Sequence, residues 1–407
     1  MNNLKEISPK NGSIMLKLVF FLIFIYAIQD FLSSANTGLR NANRISVHIS
    51  LFIILFVLCT HCIFMVIKRG IRISYFEATL WGITLWTIVV NMFNGSDIWS
   101  SLVHVGISLL WVVIYSFFHN YVQEYPNSLD SILKYIFVLF LFYIGATIYA
   151  KINIQGIYER TAVVNYVYYN IVLLPWIMLI SSKAIRNVGF IVIIIMVQIS
   201  MKRGAIIVLP VMLIVHYLVD GKVNHRKIKN IFKLLVVISI VFIGLIYVNN
   251  LYSNFLGNRF TAEALESGSG RNEIYKLALD NIINRNAVDF LIGLGSGSTL
   301  QYIGAAAHND WLEFIFSFGF IGILLYLLFF VALVSKTFKL IKNNCSFSST
   351  YTVSIVYILA IGMVGMVFFA HSTLYLMALF GTVDALESNT RLKCTHLNHD
   401  GRDNIEI

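Results

Sequence analysis

The sequence predicts an all-α polytopic membrane protein of about 12 transmembrane helices, with one large outer loop containing an amphipathic helix. Three observations predict it. Apolar residues fill 58% of the 407 positions and charged residues 12%, at a mean hydropathy of +0.77, far too little charge for a water-facing surface. The apolar residues fall in runs of about 20, the length that crosses a hydrocarbon core. Lys and Arg collect in the links between runs, and every second link is richer in them, which orients the chain.

In order, the runs are 14–32, 46–67, 74–93, 98–118, 131–150, 164–181, 185–200, 204–219, 231–248, 311–334, 351–370 and 373–386. The seventh, eighth and twelfth are short. With the N-terminus inside, 20 of the 30 Lys and Arg fall on its side of the membrane, so both termini are expected to be cytoplasmic. Lys5, Lys10 and Lys17 precede or enter the first run, which is longer than a signal-peptide core and reads as a retained span. The chain divides into 1–248 (nine spans), 249–307 (large outer loop), 308–386 (three spans) and 387–407 (cytoplasmic tail).

The net charge of +10 suggests nucleic acid, but the cations sit in short clusters between apolar runs, so no nucleic-acid partner is expected. Four scattered cysteines form no disulfide framework. Cys59 and Cys62 lie inside an apolar run and read as small buried hydrophobes rather than metal ligands. No Asp-x-Asp pair, Walker loop or zinc spacing appears, so neither metal nor other cofactor is expected.

The segment 249–310 runs to about 60 residues, far beyond the other links, and a link of that size in a compact protein is usually functional. Within it Ile274, Leu277, Ala278 and Ile282 recur on one side of a predicted helix, with Lys276 and Asp280 at i,i+4. Ser267-Gly-Ser-Gly-Arg271 leads into that helix, pairing free N–H groups with a guanidinium suited to phosphate oxygens. Lys202 and Arg203 fill the outer link between the seventh and eighth runs, against the orientation bias, which points to anion binding. Asn165-Tyr-Val-Tyr-Tyr-Asn170 opens the sixth run and reads as an interfacial aromatic belt. Gly293-Leu-Gly-Ser-Gly-Ser298 reads as tight turns.

Polar residues concentrate once more just before the tenth run. His308 is expected to start a helix, Asn309 and Glu313 to share one of its faces with Asp310 beside them, and all four to lie where lipid meets water. Gly319 and Gly322 below them are expected to admit a neighbouring helix.

Ser-Gly-Arg271, Gly-Leu-Gly-Ser and Ala-His308-Asn309-Asp-Trp-Leu312-Glu313, in that order, resemble the motifs of the bacterial O-antigen ligase/polymerase family. Ser200-Met-Lys202-Arg203-Gly204 loosely matches that family's Ser-Arg-Gly. The resemblance covers about 198–386 and lacks the Pro that usually precedes the Gly-x-Gly turn. It implies metal-independent glycosyl transfer at the periplasmic face of the inner membrane, from sugars carried on undecaprenyl diphosphate. On that reading the outer loop is periplasmic. His308 and Glu313 are the catalytic candidates, Arg271, Arg203 and Lys202 hold the diphosphate, and Asn309 and Asp310 support them. A polymerase that joins repeat units is the expected activity. A ligase that transfers the chain to the lipid A core is the alternative within the class, and a lipid-linked oligosaccharide flippase the alternative outside it. Expected partners are the lipid-linked oligosaccharide, membrane lipids, a chain-length regulator and a flippase.

Overall fold

The computed structural model describes residues 9–34, 40–70, 73–94, 98–153, 163–223, 227–251, 257–258, 260–261, 271–368 and 371–400. Sixteen α-helices and no strand occur among them: α1 Pro9–Ser34, α2 Arg40–Arg69, α3 Tyr75–Asn94, α4 Ile98–Glu124, α5 Leu129–Asn153, α6 Val167–Val172, α7 Leu174–Met178 and α8 Lys183–Ser200. After them come α9 Arg203–Val223, α10 Lys227–Leu251, α11 Arg271–Ile283, α12 Ala287–Ile292, α13 Ser298–Ile303, α14 Asp310–Lys342, α15 Ser348–Val364 and α16 Leu374–Asp400. Nine helices among the described residues are long and apolar enough to cross a membrane. The predicted runs coincide with α1 to α5, with α6 and α7 together, and with α8, α9, α10, α14, α15 and α16.

The sixth run is broken for a local reason. Pro175 occupies the first turn of α7, and it has no N–H to give to the carbonyl four residues back, which its ring also crowds. The twelfth run, the weakest by hydropathy, is the most enclosed. From Leu374 to Ala385 every residue of α16 is buried, packed chiefly on α4. A helix walled in by protein does not need a lipid-facing surface, so Thr382 and Asp384 are tolerated there. By contrast α10 touches mainly α9 and α8 and exposes most of its length.

The tenth run departs most from expectation. Gly319, inside α14, has φ 65° and ψ −167°, a region essentially reserved for glycine. In a straight helix residues 314 and 326 would lie about 18 Å apart along the axis. Instead the rings of Phe314 and Tyr326 stack with centroids 4.1 Å apart. Trp311 stacks on Phe330 at 5.4 Å, and the Tyr326 hydroxyl donates to Asp310 Oδ2 at 3.3 Å. The chain therefore doubles back at Gly319. Its first arm, 310–318, lies along the opening turns of the arm that spans. Gly319 makes a corner and, as the sequence suggested, also admits a neighbouring helix, since a Cβ there would stand 2.4 Å from Leu291 O at the end of α12.

Doubling back frees carbonyls whose usual donors have swung away, and the long segment supplies replacements. Leu294 N–H donates to Phe316 O at 3.2 Å and Gly295 N–H to Ser317 O at 2.9 Å. Arg285 Nη1 donates to Phe316 O at 2.9 Å, and Trp86 Nε1 of α3 to Phe318 O at 2.8 Å. Gly293, at φ 90°, lets its backbone lie directly against Gly319. A satellite core of Ala278, Ile282 and Phe316 fixes α11 over this corner. Leu277, expected on the same buried face, is 54% exposed, so the packed stripe is narrower than the sequence pattern implied.

Candidate functional site

Three turns and two helix ends meet at one face of the bundle. The first is the α8–α9 turn. Met201 caps α8 in the left-handed region at φ 53°, Lys202 N–H donates to Ser200 Oγ at 3.2 Å, and Ser200 O accepts from Val164 N–H at 3.0 Å. That arrangement fixes the backbone carrying Lys202 beside the start of α6. Lys202 Nζ lies over the Tyr168 ring, 5.6 Å from its centroid. Arg203 opens α9 next to it and is half-buried.

The C-terminus of α15 supplies the floor. Its last carbonyls have no helical donor. Arg271 Nη1, from the start of α11, donates to Val364 O at 2.6 Å, and Asn309 Nδ2 donates to Met363 O at 3.1 Å. Two consecutive carbonyls thus tie the outer segment and the turn before α14 to one point. A guanidinium at a helix C-terminus also meets the negative end of the dipole. Arg271 still carries further N–H donors. Ser267 to Gly270, expected to add backbone N–H groups here, lie outside the described residues.

His308 does not start the helix. It sits two residues before the helix, ahead of the Asn309 cap, with φ 51°, one of three non-glycine residues at positive φ among those described, with Met201 and Asn344. Such a conformation costs energy and persists where neighbours hold it in place. Here each following polar residue holds something different. Asn309 caps α14, its Oδ1 accepting from Trp311 N–H at 3.0 Å and Leu312 N–H at 3.2 Å. Asp310 is fully buried and accepts from Val367 N–H at 3.0 Å and Phe368 N–H at 3.2 Å. Glu313, 3% exposed, accepts the Thr299 hydroxyl at 2.9 and 2.8 Å and Ala307 N–H at 2.8 Å.

Both carboxylates therefore point into protein and are engaged there, while the imidazole faces outward. Asn309 and Glu313 are one turn apart as expected, Glu313 N–H donating to Asn309 O at 3.0 Å, but their side chains and that of Asp310 hold three separate partners. Asp310 lies beside Tyr326, in the opening turns of the spanning arm, because the chain folds back at Gly319. His308 is exposed and Asp310 fully buried, so the turn runs from the surface into the bundle.

The charged groups of the site act on one another. Partial burial holds the His308 imidazole below its ordinary value, and the positive charges of Arg271 and Lys202 push it further the same way. A neutral imidazole beside two cations results. Its neutral form accepts a proton, while the cations attract an anion. Arg271 is also within electrostatic range of Tyr168. The structure thus brings together Lys202, Arg271 and His308, which are separated by 69 and 37 positions in the chain. Sequence reasoning missed Tyr168 as a neighbour of these groups, since tyrosine at a span end reads as a belt residue. Tyr166 and Tyr169 also hold specific partners. Tyr169 donates to Asp30 Oδ2 at 2.6 Å and Tyr166 to Asp30 O at 3.1 Å, tying α1 to α6.

A family model described as O-antigen ligase matches residues 188–327. The matched stretch begins in α8, ends in α14 past the corner, and contains Lys202, Arg203, Arg271, His308, Asn309, Asp310 and Glu313. It supports the O-antigen ligase/polymerase family for this part of the chain. No curated protein matches the chain.

Proposed function

We propose that this multi-pass membrane protein, with its O-antigen ligase family domain at 188–327, is an O-antigen polymerase. It joins oligosaccharide repeat units carried on undecaprenyl diphosphate. The site faces the periplasm, and both termini are cytoplasmic. Lys202 and Arg271, both close enough to act electrostatically on His308, carry the reading.

An acceptor hydroxyl oxygen on one repeat attacks the anomeric carbon of another. The bond from that carbon to the diphosphate oxygen breaks, and undecaprenyl diphosphate leaves with the electron pair. Charge grows on the departing oxygens, and the Arg271 and Lys202 side chains are placed to meet it, with Arg203 beside them. The hydroxyl proton passes to neutral His308. The two cations thus serve twice: they bind the diphosphate and keep the imidazole unprotonated near neutral pH. Glu313 and Asp310 hold the turn that presents His308 and do not themselves react.

The test is polymerisation by purified protein in detergent, from lipid-linked repeats alone. Long chains from the wild type, and none from His308→Ala or Arg271→Ala, are expected. A wild type that makes no new glycosidic bond either from lipid-linked repeats alone or with lipid A core added as acceptor removes the enzymatic reading and leaves a flippase. The description of the matched family favours a second reading, transfer of the finished chain to the lipid A core. Gene deletion separates them. Loss of a polymerase leaves surface lipopolysaccharide capped with one repeat, whereas loss of a ligase leaves the core bare.

A further inference from the structure

The spanning arm of α14, residues 320–342, rises about 1.5 Å per residue and covers roughly 34 Å, enough to cross a hydrocarbon core of about 30 Å. Phe320, Leu324, Leu328 and Val331 are exposed along it, at spacings of four and three that place them in one stripe. In a polytopic membrane protein such a stripe faces lipid. It does not end at the corner. The Phe290 ring of α12 stacks on Phe320 with centroids 6.0 Å and planes 16° apart, and Gly293, just past α12, lies with its backbone against Gly319. These contacts seat α12 at the corner end of the stripe. Val288 and Leu291, at i and i+3 on α12, are themselves exposed, Val288 by 62%.

A turn of three residues, 284–286, joins α12 to α11, which buries Ala278 and Ile282 against Phe316. Counted from Ala278 at about 100° per residue, Leu279 and Ile283 lie roughly 100° and 140° to one side. Leu277, Asn284 and Glu273 lie roughly 100° to 140° to the other, and Lys276 and Asp280 fall between, opposite the buried face. All seven are exposed, Ile283 by 76%. The last two turns of α11 therefore sort their flanks, one apolar and one mixed with acid and amide groups. Apolar side chains exposed singly are ordinary, but a contiguous set marks a surface that something covers. This set continues the lipid-facing stripe at the level where the chain leaves the hydrocarbon, so the cover that fits is lipid.

We propose that α12 and one flank of α11 lie in the membrane interface, with Leu279, Ile283, Val288 and Leu291 among the acyl chains of the leaflet beside the corner. The outer segment is then an interfacial element that rests in lipid by its apolar flank, with Lys276 and Asp280 at the level of the headgroups. The inference does not depend on the reaction proposed above. It sets the depth at which α11, and Arg271 at its start, is held.

The experiment uses wild-type, full-length protein in nanodiscs of phosphatidylglycerol and phosphatidylcholine. In one sample the phosphatidylcholine carries a diazirine in its acyl chain, and mass spectrometry after irradiation maps the carbene adducts. In the other, hydroxyl radicals oxidise side chains from the aqueous side. Lipid adducts are expected at Ile283, Val288 and Leu291, as at Leu324 of the spanning stripe, and not at Leu277. Oxidation is expected at Leu277 and lost at Ile283, although both side chains stand out from the protein. Because the two residues share one helix, the comparison carries its own control. Ile283→Asp and Val288→Asp are each expected to lower the melting temperature in nanodiscs, since they bring a carboxylate among acyl chains, while Leu277→Asp leaves it unchanged. Oxidation of Ile283 to the same extent as Leu277 overturns the proposal, and so does an absence of lipid adducts on α12. Shielding of Ile283 and Val288 from both reagents overturns it as well, and would mean that a second protein covers this face.

Discussion

Two regions of this bundle handle half-buried cations in opposite ways. On α14, near the end away from the site, Lys336 is clamped by Asp384 Oδ1 at 2.8 Å and Glu387 Oε2 at 2.6 Å of α16, and the Tyr115 hydroxyl of α4 donates to Asp384 at 2.8 Å. There the charge is cancelled, and three helices are joined. At the site Arg271 grips a main-chain carbonyl and Lys202 lies over a ring. Neither of those two contacts is to a carboxylate. The difference teaches that position alone does not make a half-buried cation functional. The kind of partner separates a clasp from a binding group.

Substitutions at the two regions should therefore fail differently, and the largest effect is expected at the site. His308→Ala should lower the polymerisation rate by about 10² to 10⁴, the usual contribution of a positioned base, with thermal unfolding in detergent unchanged. Lys336→Met should do the reverse. It leaves two carboxylates facing each other at a cost of order 3 kcal/mol, visible as a lower melting temperature, while the folded fraction keeps its rate. A Lys336→Met protein that is stable but inactive would erase the distinction between the regions.

Next in size is the corner itself. A Cβ at Gly319 would run into Leu291 O and Gly293 N, which are backbone atoms and cannot turn aside. Gly319→Ala should cost about 1–3 kcal/mol and most of the activity, since the arm 310–318 carries the turn with His308. A methyl added at Gly145 in α5 would meet nothing within 4 Å, so Gly145→Ala should be neutral or stabilise by up to about 1 kcal/mol. Equal melting temperatures for the two variants would mean that the corner is not rigid.

The span pattern was legible because lipid demands long apolar runs, and those runs survive in the helices whether they face lipid or protein. The corner was not legible. A lone glycine between Phe318 and Phe320 looks the same in a straight helix as in a reversal, and only the backbone of Gly293 and the stacking of Phe314 on Tyr326 reveal it. The cations and His308 were found from local chemistry, since each sits at an unusual place in the chain. Their assembly was implied only by the family resemblance and not by any local pattern, because it depends on where α15 ends. The inward engagement of Asp310 and Glu313 was also hidden, as their donors at Val367, Phe368 and Ala307 are backbone groups without sequence identity.

The pH profile sharpens the account of the site. His308 must be neutral to take a proton, so activity should fall as pH drops through its value, which lies below the usual 6.5. Removing a neighbouring positive charge makes protonation easier and raises that value. In Arg271→Gln the acid limb of the residual rate should therefore move to higher pH. Lys336→Met, on the other side of the comparison, should leave the limb in place. A limb that moves the opposite way in Arg271→Gln would remove His308 as the group that titrates.

The smallest effect is expected at Glu313, and it separates scaffold from chemistry within the site. Its oxygens accept the Thr299 hydroxyl and the Ala307 amide, and the side chain is 3% exposed. A glutamine keeps a carbonyl oxygen in reach of both donors and adds an amide N–H₂ that lacks an obvious acceptor there, at about 1 kcal/mol. A group that only holds the His308 turn tolerates that exchange, so Glu313→Gln should stay within about 10-fold of wild type. Glu313→Ala leaves both donors unmet in a buried place and should lose both stability and activity. A group that accepts the reacting proton cannot be replaced by an amide, which has no basicity near neutral pH. A stable Glu313→Gln with a rate loss of about 10² or more would then make Glu313 the base and reduce His308 to a neighbour.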